Sequence, residues 1–167
     1  HGLNFIEAPF TRSGTNIFQE ASLIKFLEKI YKLHQPDIIH HVTLKPSIYG
    51  SLAARKAGIR NVVNAISGLG YNFTADRKGI KQIAVNILLK RSFRNDWLQF
   101  IFQNPDDVSL FKQAGLVKND NQIHIIKGSG VDLSAFPYSD EPSGGVLRVL
   151  LPARMLYDKG VVEFVNA

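Results

Sequence analysis

Arg154 and Lys159 stand close together in the segment Pro152-Ala153-Arg154-Met155-Leu156-Tyr157-Asp158-Lys159-Gly160. A planar guanidinium fork beside a compact ammonium suits a diphosphate better than it suits a single carboxylate. The apolar run 146–151 before this segment and the amphipathic restart at 161–165 read as a strand buried on both faces, a crossover loop and a helix. Such a loop leaves the carboxyl end of a parallel strand and meets a helix N-terminus, whose free N–H groups favour an anion. Taken without context, two solvated surface charges account for the pair equally well.

Other residues with chemical capacity are fewer. Gly128-Ser129-Gly130, followed by Val131-Asp132, makes a tight loop whose backbone can approach a ligand closely, and a purely structural turn explains it nearly as well. His40 and His41 are adjacent at the end of a β-prone run, so they face opposite sides of a strand and cannot chelate one metal together. Asp106 and Asp107 follow Asn104-Pro105 and read as helix-start carboxylates rather than metal ligands. The turn Ser67-Gly68-Leu69-Gly70 is not the dinucleotide fingerprint, whose glycine spacing and ribose-binding acid do not occur here.

The sequence Gly128-Ser129-Gly130-Val131-Asp132, then a strand and Arg154 with Lys159-Gly160, resembles the domain junction of the GT-B, family 4-type glycosyltransferases. The likeness reaches back through Val63-Asn64-Ala65-Ile66-Ser67-Gly68-Leu69-Gly70, Tyr49-Gly50-Ser51-Leu52-Ala53-Ala54-Arg55 and Pro36-Asp37-Ile38-Ile39-His40. With Lys45-Pro46, the two segments around Tyr49 and Val63 are similar to a bacterial branch that builds capsule, O-antigen and protein-linked glycans. The resemblance implies a retaining transfer from a nucleotide-sugar, UDP-linked in many relatives, to a lipid-linked or oligosaccharide acceptor. It implies that Arg154 and Lys159 neutralise the leaving diphosphate and that Gly128, Ser129 and Gly130 line the donor site. No metal, no other cofactor and no nucleic-acid partner are implied. On the acceptor side His40, His41, Thr43, Lys45, Ser67 and Gly68 become candidates. Two departures weaken the histidines: relatives often read His-x-His where Val42 stands here, and often place a histidine where this chain has Ser67. A sugar-nucleotide epimerase of the same fold and a non-catalytic membrane or nucleotide-binding module are the rival readings.

Bulk properties restrict the field. The 167 residues suffice for one large domain or parts of two. With 45% apolar and 20% charged residues the composition is that of a globular protein, which argues against disorder. The absence of cysteine excludes a disulfide framework and thiolate metal sites and fits a reducing compartment; the resemblance implies a location that is cytoplasmic or peripheral at the cytoplasmic face of the inner membrane. A net charge of +6 favours an anionic partner: nucleotide, lipid headgroup or nucleic acid.

Positioning these residues requires a succession of strands and helices. Apolar residues recur at helical steps over 17–33, a short strand follows at 38–42, a helix at 47–56 closed by Gly58, and a strand at 61–66. Residues 3–8 are a strand candidate, 97–102 and 123–126 are further strands, and 105–114 is a helix. These alternations predict an α/β, Rossmann-like, doubly wound parallel sheet, with an incomplete first domain over 1–127, a linker over 128–145 and the first strand and helix of a second domain over 146–167. The opening on histidine and the stop soon after Phe164 read as a piece of a longer protein. Residues 77–94 are the most basic stretch, with Ile80, Ile83, Ala84, Ile87 and Leu88 on one predicted stripe. That stripe either packs into the core behind a solvated basic rim or lies on an anionic membrane surface.

Overall fold

The structure is a computed structural model that describes residues 2–9, 17–67, 80–128, 130–140, 144–146 and 148–167. It divides into two compact units, His1–Ser129 and Gly130–Ala167. The first unit holds helix α1 (Ile17–His34), strand β1 (Ile39–Val42), helix α2 (Leu44–Ala57), strand β2 (Val62–Ile66), helix α3 (Ile80–Phe93), strand β3 (Leu98–Phe102), helix α4 (Pro105–Gln113) and strand β4 (Ile123–Ile125). The four strands form one sheet in the order of the chain, every pair parallel, with Ile39 beside Val62, Val62 beside Leu98 and Phe100 beside Ile123.

Sequential parallel strands joined by right-handed crossovers place the joining helices on the same side of a sheet. Phe93 from α3 and Phe111 from α4 meet Phe100 on that side at ring-centroid separations of 5.5 and 5.4 Å. Tyr31 from α1 reaches His41 there, and α1 packs on α2. Alternation along the strands agrees: β2 and β3 both bury every second residue and leave the others half-covered. The described helices of this unit lie on that side, and the all-parallel sheet flanked by helices is the α/β, Rossmann-like class that the alternation of elements predicts. Phe93, Phe100, Phe102 and Phe111 are completely buried and form the centre of the core with Leu98, Ile66 and Val62.

Local signals explain the element ends. Gly58 adopts φ 81°, and the N–H of Ile59 bonds to Ala54 O at 3.0 Å, which closes α2 in a Schellman turn that needs a left-handed residue. At α4, Asn104 Oδ1 accepts from the N–H of Asp107 at 2.8 Å while Asn104 Nδ2 donates to Asp107 Oδ2 at 2.9 Å, with Pro105 at the first helical position. Asp107 is thus spent on the cap, as its place in the sequence suggests.

Two expected strands are not formed. Residues 2–9 form no strand, since none of the described residues pairs with them, and Leu3 and Phe5 are exposed. Residues 148–151 are likewise unpaired, and Val149 and Leu150 lie in solvent; a strand buried on both faces is made by its neighbours, and none of the described residues flanks this one. At α3 the sequence leaves two readings open. Leu89, Ser92 and Phe93 face the core, whereas Ile83 and Ile87 are each 61% exposed, so these two members of the stripe point outward, and Leu88 is half-buried. Helix α2 begins at Leu44, three residues before the expected start, which puts Lys45 and Pro46 in its first turn.

Phe111→Ala is expected to destabilise the chain by about 3–5 kcal/mol, the scale of deleting a fully buried ring from a packed core. Urea unfolding followed by circular dichroism measures it, and a loss under 1 kcal/mol would show that the aromatic cluster relaxes into the void.

Candidate functional site

In a parallel sheet all strands end at the same edge, and that edge is where loops gather to bind ligands. Here it carries Thr43 after β1, Ser67 after β2 and Lys127-Gly128 after β4. Gly68 and Ser129, also expected at the site, lie outside the described residues. The edge rests on a buried polar knot. His41 Nδ1 bonds to Asn64 Oδ1 at 2.8 Å and His41 Nε2 to the Tyr31 hydroxyl at 2.9 Å, while Asn64 Nδ2 donates to Ser51 Oγ at 3.1 Å. An amide oxygen only accepts, so the ring proton sits on Nδ1 and Tyr31 donates to Nε2. Four elements are joined by three side-chain bonds.

Burial holds the His41 imidazole below its usual pKa, against the opposing pull of the Asn64 bond, and pushes the Tyr31 hydroxyl up to about 12. Gly50 of α2 is required at this contact, since a Cβ there would run into His41 Nε2. Ser47, Ser51, Ala53 and Ala54 on the same helix are also buried and small, which lets the α2 backbone approach the sheet. His41 is therefore engaged inside the fold at both nitrogens, whereas its neighbour His40 points to solvent.

Thr43 follows at the exit of β1 with φ 74° and ψ 163°, a combination that costs a β-branched residue about 1–3 kcal/mol. The conformation is held from both sides: Thr43 N donates to Ala65 O at 2.9 Å, and its carbonyl accepts from Ser47 N at 3.2 Å and Ser47 Oγ at 2.7 Å. Its exposed side chain makes no cap to α2 and faces outward at the sheet edge. Lys45 in the first turn of α2 pairs with Glu20 of α1 at 2.8 Å and lies 5.9 Å from the centre of the Tyr49 ring. Burial, then the charge and hydrogen bond of Glu20, push the Tyr49 hydroxyl up to about 12. Glu20 and Tyr49 are site residues that the sequence does not point to. Lys45 and Tyr49 are one helical turn apart, but nothing in the sequence joins Glu20 to them.

The second unit holds Gly130, Arg154 and Lys159. Asp132 Oδ1 accepts from the N–H and the hydroxyl of Ser134 at 2.9 and 2.6 Å, which holds the Asp132 carboxyl below the usual range and shapes the turn after Gly130. Gly128 and Gly130 have φ values of 66° and 70°, so both need glycine's freedom. Arg154 precedes a 3-10 turn, Tyr157–Lys159, and Gly160, at φ 68°, passes the chain into the short helix α5 (Val161–Asn166). Both cations are exposed, and among the described residues neither has an ion-pair partner.

Residues 2–104 match the family described as glycosyl transferase 4-like. The chain belongs to the glycosyl transferase 4-like family. Across 98% of its length it is 32% identical to a protein of Campylobacter jejuni, an N,N'-diacetylbacillosaminyl-diphospho-undecaprenol alpha-1,3-N-acetylgalactosaminyltransferase. The chain spans 46% of that relative's length. In this glycosyl transferase 4-like chain the matched region contains the whole of the His41 knot, Thr43 and Lys45, and ends at the cap of α4.

Two outcomes test this geometry. Gly50→Ala should lower the unfolding midpoint clearly, because either the His41 bonds break, leaving a buried polar group unpaired at about 1–3 kcal/mol, or α2 must move; an unchanged midpoint would mean that the ring relocates freely. His41 has a folded pKa below the unfolded value of about 6.5, so below that pH the unfolded chain takes up a proton that the folded chain does not. Stability should be complete above pH of about 6.5 and fall as pH drops towards the folded pKa. Urea midpoints measured across that interval should vary less for His41→Phe than for the parent, and equal variation would remove His41 as the cause.

Proposed function

We propose that the chain is part of a retaining glycosyltransferase that moves a sugar from a nucleotide-sugar, UDP-linked, to an acceptor carried on a lipid diphosphate. Membership of the glycosyl transferase 4-like family supports the reaction class, and the Campylobacter jejuni relative, named for a diphospho-undecaprenol acceptor, supports the acceptor class. The observation that carries the residue assignment is Arg154 with Lys159: two exposed cations around a short turn, without a carboxylate partner among the described residues.

In this reading Arg154 and Lys159 bind the diphosphate, with the glycine loop of Gly128, Ser129 and Gly130 beside the nucleotide-sugar. As the bond between the anomeric carbon and the diphosphate breaks, negative charge grows on the leaving oxygens. Donors already aimed at those oxygens contribute more at the transition state than in the ground state, which is what raises turnover. The acceptor hydroxyl attacks the anomeric carbon from the face that the diphosphate leaves, and its proton passes to a leaving phosphate oxygen. Two fixed cations take the part that a metal plays elsewhere, so the proposal includes no metal.

Acceptor contacts are assigned to the carboxyl edge of the sheet, to Thr43, Lys45, Ser67 and Gly68, with His40 at its exposed side. His41 holds that edge in shape instead of touching the acceptor. The strained backbone of Thr43 is the reason to place the contact there, since strain persists only where the surrounding bonds enforce it and concentrates at functional positions.

A lipid-linked acceptor brings the enzyme to a bilayer. None of the helices in the described residues is long and apolar enough to cross one. Ile83 and Ile87 instead project from α3 beside Lys90, Arg91 and Arg94, an apolar ridge with a basic border that suits peripheral docking on an anionic leaflet at the cytoplasmic face.

For the full-length enzyme, Arg154→Ala or Lys159→Ala should lower turnover by about two orders of magnitude, the scale of losing one charge-stabilising donor. UDP release in the presence of UDP-sugars and a lipid-diphosphate acceptor measures it; unaltered kinetics in both variants remove them from the mechanism, and epimerisation without acceptor overturns the transfer. Ile83→Asp with Ile87→Asp should reduce cosedimentation with phosphatidylglycerol vesicles several-fold without altering UDP release from a soluble acceptor analogue. Vesicle binding that survives both substitutions places the contact on another surface.

A further inference from the structure

At the amino-terminal edge of the sheet, opposite Thr43, a single buried amide ties two loops together. Gln122 is 1% exposed; its Oε1 accepts from the N–H groups of Lys118 at 3.0 Å and Asn119 at 3.1 Å, and its Nε2 donates to the carbonyls of Asn95 at 2.7 Å and Leu98 at 2.8 Å. Four bonds use both hydrogens and both lone pairs of the amide. The loop after α4 and the turn before β3 are thereby fixed relative to each other.

Between these loops and the last turn of α3 lies an open pocket of about 560 Å³, lined by Lys90, Arg94, Asp96, Val117, Lys118 and Asn119. Three cations face one carboxylate. Asp96 takes Lys118 at 3.0 Å, but their side chains are 63% and 41% exposed, and a pair so wet contributes little and yields readily to a better acceptor. Among the described residues neither Lys90 nor Arg94 has an ion-pair partner.

We propose that this pocket is an anion site that binds a phosphate-bearing group, using residues other than the Arg154 and Lys159 of the later loop. The guanidinium of Arg94 offers parallel N–H donors to two oxygens, Lys90 and Lys118 supply point charges, and the Asn119 amide supplies a neutral donor. A phosphate monoester or diphosphate presents three or more acceptor oxygens and close to two charges, which satisfies these groups; a monocarboxylate presents two oxygens and one charge. The clamp at Gln122 holds the Lys118-Asn119 side of the site in place before the ligand arrives, so less ordering is lost on binding. Lys90 and Arg94 continue the outward face of α3 that begins with Ile83 and Ile87, so the phosphate comes either from a lipid headgroup or from a soluble anion.

The test is calorimetric titration of the full-length enzyme with inorganic pyrophosphate at low ionic strength, in an Arg154→Ala/Lys159→Ala background that silences the first diphosphate site. Saturable binding of one pyrophosphate should remain. Adding Lys90→Gln, Arg94→Gln and Lys118→Gln should weaken it by about tenfold or more, the scale of one lost charge-assisted bond. Removing the same charge from α1 instead, with Lys25→Gln, Lys29→Gln and Lys32→Gln, should change it by less than about twofold, since distant exposed charges act only through a screened field. Absence of binding in the background, or equal weakening by the two triple variants, overturns the site; neither result bears on the turnover of the Arg154 and Lys159 variants, which tests the transfer reaction by itself. The source is read from vesicles containing phosphatidic acid, whose headgroup is a phosphate monoester: release of the bound enzyme by saturating pyrophosphate assigns the pocket to headgroups, and retention on the vesicles with pyrophosphate also bound assigns it to a soluble anion.

Discussion

The hydrogen bond from His41 Nδ1 to Asn64 Oδ1 fixes β1 against β2 from the side-chain layer, in addition to the backbone ladder that pairs His41 with Asn64. Tyr31 and Ser51 complete it from α1 and α2, and Gly50 allows α2 close enough for the ring to fit. Each member is buried or nearly so, and each unpaired member would cost about 1–3 kcal/mol, so the knot tolerates one arrangement. Thr43 and Lys45 lie immediately beyond it, and the strained turn that exposes Thr43 inherits its position from this contact.

The rest of the first unit follows from directionality. Four parallel strands in chain order bring their exits to the same edge, and the described helices of this unit pack against one face of the sheet. Loops that must hold a ligand gather at the carboxyl edge, and the opposite edge collects the helix ends and the loops that Gln122 binds together. Two edges with different chemistry result: strain, a Glu20–Lys45 pair and polar loops on one, and a wet cluster of cations on the other.

Much of this is legible in the order of the residues. The glycine at 58, the Asn104-Pro105 helix start, the alternation in β2 and β3 and the opposite facing of His40 and His41 all follow from rules that act over a few residues. The hydrophobic stripe of α3 leaves two readings open in the sequence, because helical spacing shows which residues share a face and says nothing about which face the sheet covers; the exposure of Ile83 and Ile87 favours the outward one. The run 146–151 misleads: β propensity and apolarity favour a strand, yet pairing supplies the hydrogen bonds, and among the described residues no partner strand lies beside it.

The sequence alone determined the succession of elements from α1 to β4, the parallel α/β class and the family, because these depend on local propensity, spacing and short motifs. Only the tertiary structure decided that His41 is enclosed while His40 is free, that Glu20 meets Lys45 and Tyr49, and that Lys90, Arg94 and Lys118 surround one pocket. Those partners are far apart along the chain, and their meeting depends on how α1 and α2 pack and how the loops beside β3 and β4 are tied, which no short stretch of residues encodes.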